Sequence, residues 1–159
     1  MKPCNKIEII DFAENLQESI KKLNYEWLEK YFFIEQGDTV SLSNPKKQII
    51  DKGGYIFYAK LNTEIVGTAS LIKKADRIFE LGKMAVAGNA QGKGIGTMLL
   101  EHCLKIAKRK RIAKLILYSN TRLESAIHLY QKYGFVEIEL EKGLYERANI
   151  KMEKYLEFD

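Results

Sequence analysis

The sequence predicts a mixed α/β (α+β) domain, with a largely antiparallel sheet of about seven strands, about four helices and one strand–helix–strand crossover. Three observations carry this. The segments 55–61, 65–73 and 77–86 are rich in β-branched and aromatic residues and are separated by only three residues each, which suits an antiparallel meander. Residues 94–111 carry apolar or small side chains at helical spacing between two strand-like segments, as a crossover helix would. The chain has only two prolines, Pro3 and Pro45, and no linker-like tract, so one continuous domain over residues 1–159 is expected.

Taken in order, residues 7–12 read as a first strand because Ile7, Ile9 and Ile10 are bounded by polar residues. Residues 15–33 read as a helix, with Leu16, Ile20, Leu23, Trp27, Leu28 and Tyr31 at steps of three or four apart from one adjacent pair. Asn44-Pro45 can start a short helix to Lys52, Asn supplying an acceptor and Pro a pre-set first turn, and Gly53-Gly54 ends it. The meander follows. In the long helix the apolar face is Ile95, Met98, Leu99, Cys103, Ile106 and Ala107. Leu115-Ile116-Leu117-Tyr118 shows no alternation, as expected of a strand buried on both faces. Residues 123–133 are helical up to Gly134, and 136–140 and 148–156 read as two closing strands.

Composition narrows the function. A hydrophobic share of 46% beside 30% charged residues fits a packed core with a solvated surface and argues against disorder. The 26 Lys+Arg against 21 Asp+Glu leave +5, compatible with an anionic ligand but far from a nucleic-acid-binding tail. Lys108-Arg109-Lys110-Arg111 ends a helix, where cations complement the dipole. No apolar run approaches the ~18 residues of a membrane span and no signal-like stretch follows the N-terminus, so the cytoplasm is the expected compartment. Cys4 and Cys103 form no CxxC and are expected to be reduced. His102 and His128 have no ligand-type neighbours at metal spacing, so no metal is expected. No Gly-x-Ser-x-Gly elbow is present.

The most informative segment is the loop with Gly92, Gly94 and Gly96, which joins a strand to the long helix. Glycine lets a ligand approach the backbone, and the first helical amides have no internal acceptor; with the positive end of the dipole they can hold a phosphate. A tight strand-to-helix turn would use the same glycines. The ATP-type loop is excluded because no Gly-Lys-Ser/Thr triplet occurs, and the dinucleotide fingerprint fails because Thr97 and Leu99 stand where its third glycine would be.

The remaining pattern, Gln91-Gly92-Lys93-Gly94-Ile95-Gly96, resembles the [RQ]-x-x-G-x-[GA] pyrophosphate loop of the GCN5-related N-acetyltransferases (GNAT). Glu80-Leu81-Gly82-Lys83-Met84-Ala85-Val86 is similar to that family's preceding strand. Asn120, Ala126, Tyr130, Gly134 and Phe135 follow the order of its later N-x-x-A-x-x-x-Y-x-x-x-G-F helix, with a longer gap after the Asn.

The resemblance implies a GNAT-like fold whose sheet splays at an acetyl-CoA cleft, between the strand of Met84 to Val86 and that of Leu115 to Tyr118. It further implies pantetheine pairing with the backbone of Met84, Ala85 and Val86. The pyrophosphate would meet the amides of Gly92, Lys93, Gly94, Ile95, Gly96 and Thr97, with Gln91 shaping the turn and Lys93 either adding a phosphate contact or remaining solvated. Asn120 would hold CoA or the loop, or simply form a turn. Tyr130 would protonate the departing thiolate, the alternative being a core tyrosine. Glu80 would be the base, directly or through a water chain, the alternative being a strand glutamate facing solvent or paired with a neighbour such as Lys83; without a bulge, it lies on the same side of the strand as Met84. The implied reaction is direct acetyl transfer to a primary amine of a small molecule or peptide.

The acceptor region of that family corresponds here to Tyr25, Trp27, Tyr31, Phe32 and Phe33, with Glu29, Glu35 and Asp38 able to attract a cation. No nucleic acid and no membrane are expected as partners, and a homodimer is compatible with the sequence. A CoA-binding module without turnover, or a nucleic-acid-associated basic protein, would be the alternatives.

Overall fold

A computed structural model describes residues 6–141 and 146–157. Cys4 lies outside them. Seven strands, β1 (Ile7–Asp11), β2 (Tyr55–Leu61), β3 (Glu64–Ala75), β4 (Ile78–Val86), β5 (Lys114–Ser119), β6 (Val136–Ile138) and β7 (Ile150–Tyr155), form one sheet in the order β1-β2-β3-β4-β5-β7-β6. Every pairing is antiparallel except β4 with β5, which is parallel, as the expected crossover requires. The β2–β3 turn is tighter than the sequence suggests: only Asn62 and Thr63 separate the strands, and Asn62 takes the left-handed conformation (φ 57°) that asparagine tolerates.

Four α-helices cover the sheet: α1 (Gln17–Tyr31), α2 (Gln36–Ser43), α3 (Ile95–Arg109) and α4 (Glu124–Lys132). On one face Ile95, Leu99, Leu100, Cys103 and Ala107 of α3 pack with Ile127 of α4 on Phe57, Leu71, Leu81, Leu115 and Leu117. On the other face Ile20 of α1 and Leu42 of α2 join Ile49, Ile56 and Tyr58. Each face thus buries one side of the strand alternation.

The second helix is where sequence and structure part. The expected short helix after Pro45 is a single π-type turn, Lys46–Ile50, and the Lys47 amide reaches the Asn44 side chain at a long 3.4 Å. The full helix lies just before it, in Gln36–Ser43. Its Gly, Ser and Thr are poor helix formers and only Val40 and Leu42 are apolar, so periodicity does not reveal it. It starts from a cap in which the Glu35 amide donates to the Asp38 carboxylate at 3.0 Å.

Candidate active site

The parallel ladder between β4 and β5 is short. Ile78, Phe79 and Glu80 pair with Lys114, Leu115 and Ile116, after which β4 runs on to Val86 beside β3 and β5 runs on to Ser119 beside β7. The two strands part, and a cleft of about 540 Å³ opens between them. Its walls take in Glu80, Met84, Ala85, Val86, Gln91, Gly92, Gly94, Ile95, Gly96, Thr97, Asn120 and Tyr130. Lys93 does not line it. The residues singled out in the sequence are therefore brought together, with Lys93 turned to solvent.

The glycine loop enters the cleft at the start of α3. Gly94 caps the helix with φ +77°, a conformation that costs a residue with a β-carbon about 1–2 kcal/mol. It offers no side-chain cap, so the first amides of α3 remain open to a ligand. A β-carbon on Gly92, Gly94 or Gly96 would meet nothing within 4 Å, so the space beside this backbone is open. Ile95 anchors the turn by burying its side chain in the core, leaving only its amide for the cleft.

On the opposite wall β4 carries a bulge. Thr68 pairs with Ala85 and Ser70 with Gly82, so two steps on β3 answer three on β4. Lys83 sits in this bulge with φ 51°. The extra residue shifts the alternation, so Met84 falls on the face opposite Glu80, against the expectation for an unbroken strand. Asn24 of α1 donates its side-chain amide to the Lys83 carbonyl at 3.1 Å.

Glu80 is 4% exposed and faces the side of the sheet covered by α1. Its salt-bridge partner is Lys74, at 3.4 Å, and not Lys83. Its Oε1 accepts no hydrogen bond from the described residues. Tyr130 sits on α4 with its ring edge-on to Phe135 at 5.9 Å. Burial, with a smaller contribution from the Cys103 thiol, pushes its phenol up to about 12, so it stays protonated at physiological pH. The Asn120 side chain forms a local turn, accepting from the Arg122 amide at 2.9 Å, and also donates to the Arg147 carbonyl at 2.8 Å.

The end of the cleft near α1 and α2 joins residues expected from the sequence to Arg147, which the sequence did not single out. Trp27 and Phe32 line the cleft, their rings 5.4 Å apart, while Phe33 is exposed. Glu35 and Asp38 are not free to attract an amine. Arg147 donates to Asp38 Oδ2 at 2.6 Å and Oδ1 at 2.8 Å and to Glu35 at 2.5 Å, and Lys83 reaches Asp38 at 3.0 Å. Burial alone would raise the Asp38 pKa; the Arg147 hydrogen bond, the Lys83 charge and the Glu35 amide outweigh it and hold the carboxyl below its ordinary value. Asp38 and Arg147 are 109 positions apart, and no local pattern in the sequence links them.

Among the described residues no three His, Cys, Asp or Glu side chains gather to hold a metal ion, and no helix is long and apolar enough to cross a membrane. Residues 17–135 match the sequence model of a family described as the acetyltransferase (GNAT) family. The chain is 42% identical over 149 residues to N-alpha-acetyltransferase 50 of Danio rerio, covering 89% of this chain and 82% of that protein. In structure it is similar to a GNAT-family acetyltransferase of Staphylococcus aureus Mu50, with TM-score 0.85, 24% identity, and coverage of 96% of this chain and 100% of that one. It is also similar to the PaiA N-acetyltransferase of Thermoplasma acidophilum, solved in complex with coenzyme A, with TM-score 0.73, 20% identity, and coverage of 95% and 99%.

Proposed function

The chain is an acetyltransferase of the GNAT family, and from that premise we propose that it transfers an acetyl group from acetyl-CoA to a primary amine of a peptide or small molecule. The observation that carries this reading is the parting of β4 from β5 beside an uncapped, glycine-opened helix N-terminus, with Glu80 and Tyr130 on the walls of the same cleft. The open space at Gly92, Gly94 and Gly96 suits a pyrophosphate on the α3 amides, and the freed edge of β4 at Met84, Ala85 and Val86 suits an extended, amide-bearing arm.

Bound acetyl-CoA supplies a thioester: its acetyl carbon gains a bond to the amine nitrogen as the bond to sulfur breaks. The chain's own residues align the amine and move protons. A lysine-type amine, with a pKa of about 10.4, is mostly protonated at neutral pH and cannot attack, whereas an α-amino group near 7.7–8.0 is far more often free. Glu80 is the group we assign to take that proton, from its place on the cleft wall. The Tyr130 phenol, at about 12, is a weaker acid than a thiol near 8.5, so we assign it to stabilise the departing sulfur by donating a hydrogen bond; complete proton transfer from it would be uphill. Asn120 and Gln91 then act by shaping the two loops at the cleft mouth.

The Danio rerio relative is named for α-amine acetylation, which puts peptide N-termini first among the acceptors to try. The test is a panel of peptides with free N-termini, lysine peptides, polyamines, amino acids and aminoglycosides, read by release of CoA thiol. Acceptor-dependent release names the class. Tight CoA binding without release from any amine would make the protein a CoA-binding module instead.

A further inference from the structure

Where the main-chain ladder between β4 and β5 stops, a belt of side chains crosses the gap. Lys83, in the β4 bulge, donates to Asp38 at 3.0 Å; Asp38 accepts both arms of Arg147 at 2.6 and 2.8 Å; and the Arg147 carbonyl accepts from Asn120, directly after β5, at 2.8 Å. Each of these four residues lines the cleft. The belt therefore joins the two parted strands by way of α2 and the segment before β7.

We propose that Asp38 is a positioning residue that sets the separation of β4 and β5, coupling the bulge on the CoA side of the cleft to Arg147 on the acceptor side. This rests on the acetyl-transfer reading above. The carboxylate is only 1% exposed, and two cations and the Glu35 amide converge on it. A buried charge of this kind is retained only when its partners are well placed, and it then holds them in one geometry. Its partners are the points that matter for the cleft. Lys83 is the left-handed residue of the bulge, its carbonyl held by Asn24 of α1, so its ammonium contact with Asp38 fixes the conformation from which the free edge of β4 emerges. Arg147 is further tied by Glu35, which also accepts from the Glu146 amide at 2.9 Å. A shift of Asp38 would be felt at both ends.

The test is a double-mutant cycle on CoA affinity, measured by calorimetry on the full chain. Lys83→Met leaves Asp38 with Arg147, and Arg147→Met leaves it with Lys83, so neither variant strands the buried carboxylate without a cation; the double variant also carries Asp38→Asn for the same reason, and thermal unfolding confirms that each is folded. Each single variant is expected to weaken CoA binding about tenfold, and the double variant no more than about threefold beyond the weaker single, because both contacts act through one carboxylate. Single variants within about twofold of the parent, or a double variant weakened by the product of the two, would overturn the proposal; a role in stability alone would lower the unfolding temperature and leave CoA affinity unmoved. The readout needs no acceptor. A parent that binds CoA but acetylates no amine refutes the acetyl-transfer reading while the cycle still decides the belt, and a parent that does not bind CoA refutes both.

Discussion

The carboxylate of Glu80 lies over Gly82, its Oε2 2.9 Å from the point where a β-carbon on that glycine would stand. Gly82→Ala therefore pushes the Glu80 head group aside. The atom that must move is the end of a flexible side chain, so the unfolding temperature should change little. Turnover should fall about tenfold or more, in the direction of Glu80→Gln, with CoA affinity unchanged. Steady-state kinetics and CoA calorimetry on Gly82→Ala check this, and parental turnover would show that the position of Glu80 does not matter.

Removing Glu80, the proposed base, should change the pH dependence as well as the rate. In Glu80→Gln the attacking amine must lose its proton to solvent, so the rate should climb about tenfold per pH unit below the amine's own pKa, near 8 for an α-amine and near 10.4 for a lysine. A pH–rate profile superimposable on the parent's would assign the base elsewhere.

Tyr130→Phe would delete the hydrogen bond that the proposed mechanism gives to the departing sulfur. Bonds to charged groups contribute about 1.5–3 kcal/mol, so kcat should drop about ten- to hundredfold with little effect on CoA affinity. Because burial holds the phenol at about 12, the parent should show no loss of activity from tyrosine ionisation up to about pH 10.

Gly96→Ala separates stability from binding. Gly96 is helical, without positive φ, and faces open space. Alanine there favours the helix by up to about 1 kcal/mol, so the unfolding temperature should rise, while an added methyl group at this cleft-lining position should lower CoA affinity. Unchanged CoA affinity would place the pyrophosphate away from this turn.

Asp38 should make the fold acid-sensitive. Its carboxyl is depressed in the folded chain relative to about 3.9 when unfolded. The stabilisation is then fully present above pH ~4 and is lost as pH falls through the lower, folded value. Thermal unfolding between pH 2 and 7 should show Asp38→Asn well below the parent at neutral pH and the two converging on acidification; a constant gap would contradict the pairing.

Much of this was legible in the residues themselves. The meander, the crossover helix and the glycine turn depend on interactions between near neighbours in sequence: the β-branched and aromatic residues of Tyr55–Leu61 with their short connections, the apolar face of Ile95–Arg109, and the backbone freedom of Gly94. Those are local properties, and they sufficed to name the family and most of the cleft wall. The bulge at Lys83 was not legible, because an extra residue in a ladder shows only against its partner strand, and it moved Met84 to the other face from Glu80. Nor was the pairing of Asp38 with Arg147, nor that of Glu80 with Lys74 in place of Lys83. An acidic residue on a weak helix reads as a solvated charge until the sheet order brings a cation from 109 residues away and the surrounding protein excludes water. The sequence by itself determined the meander, the crossover helix and the glycine turn between them. Only the tertiary structure decided which charges are buried together, because burial and partner choice are properties of the assembled layers and not of any segment.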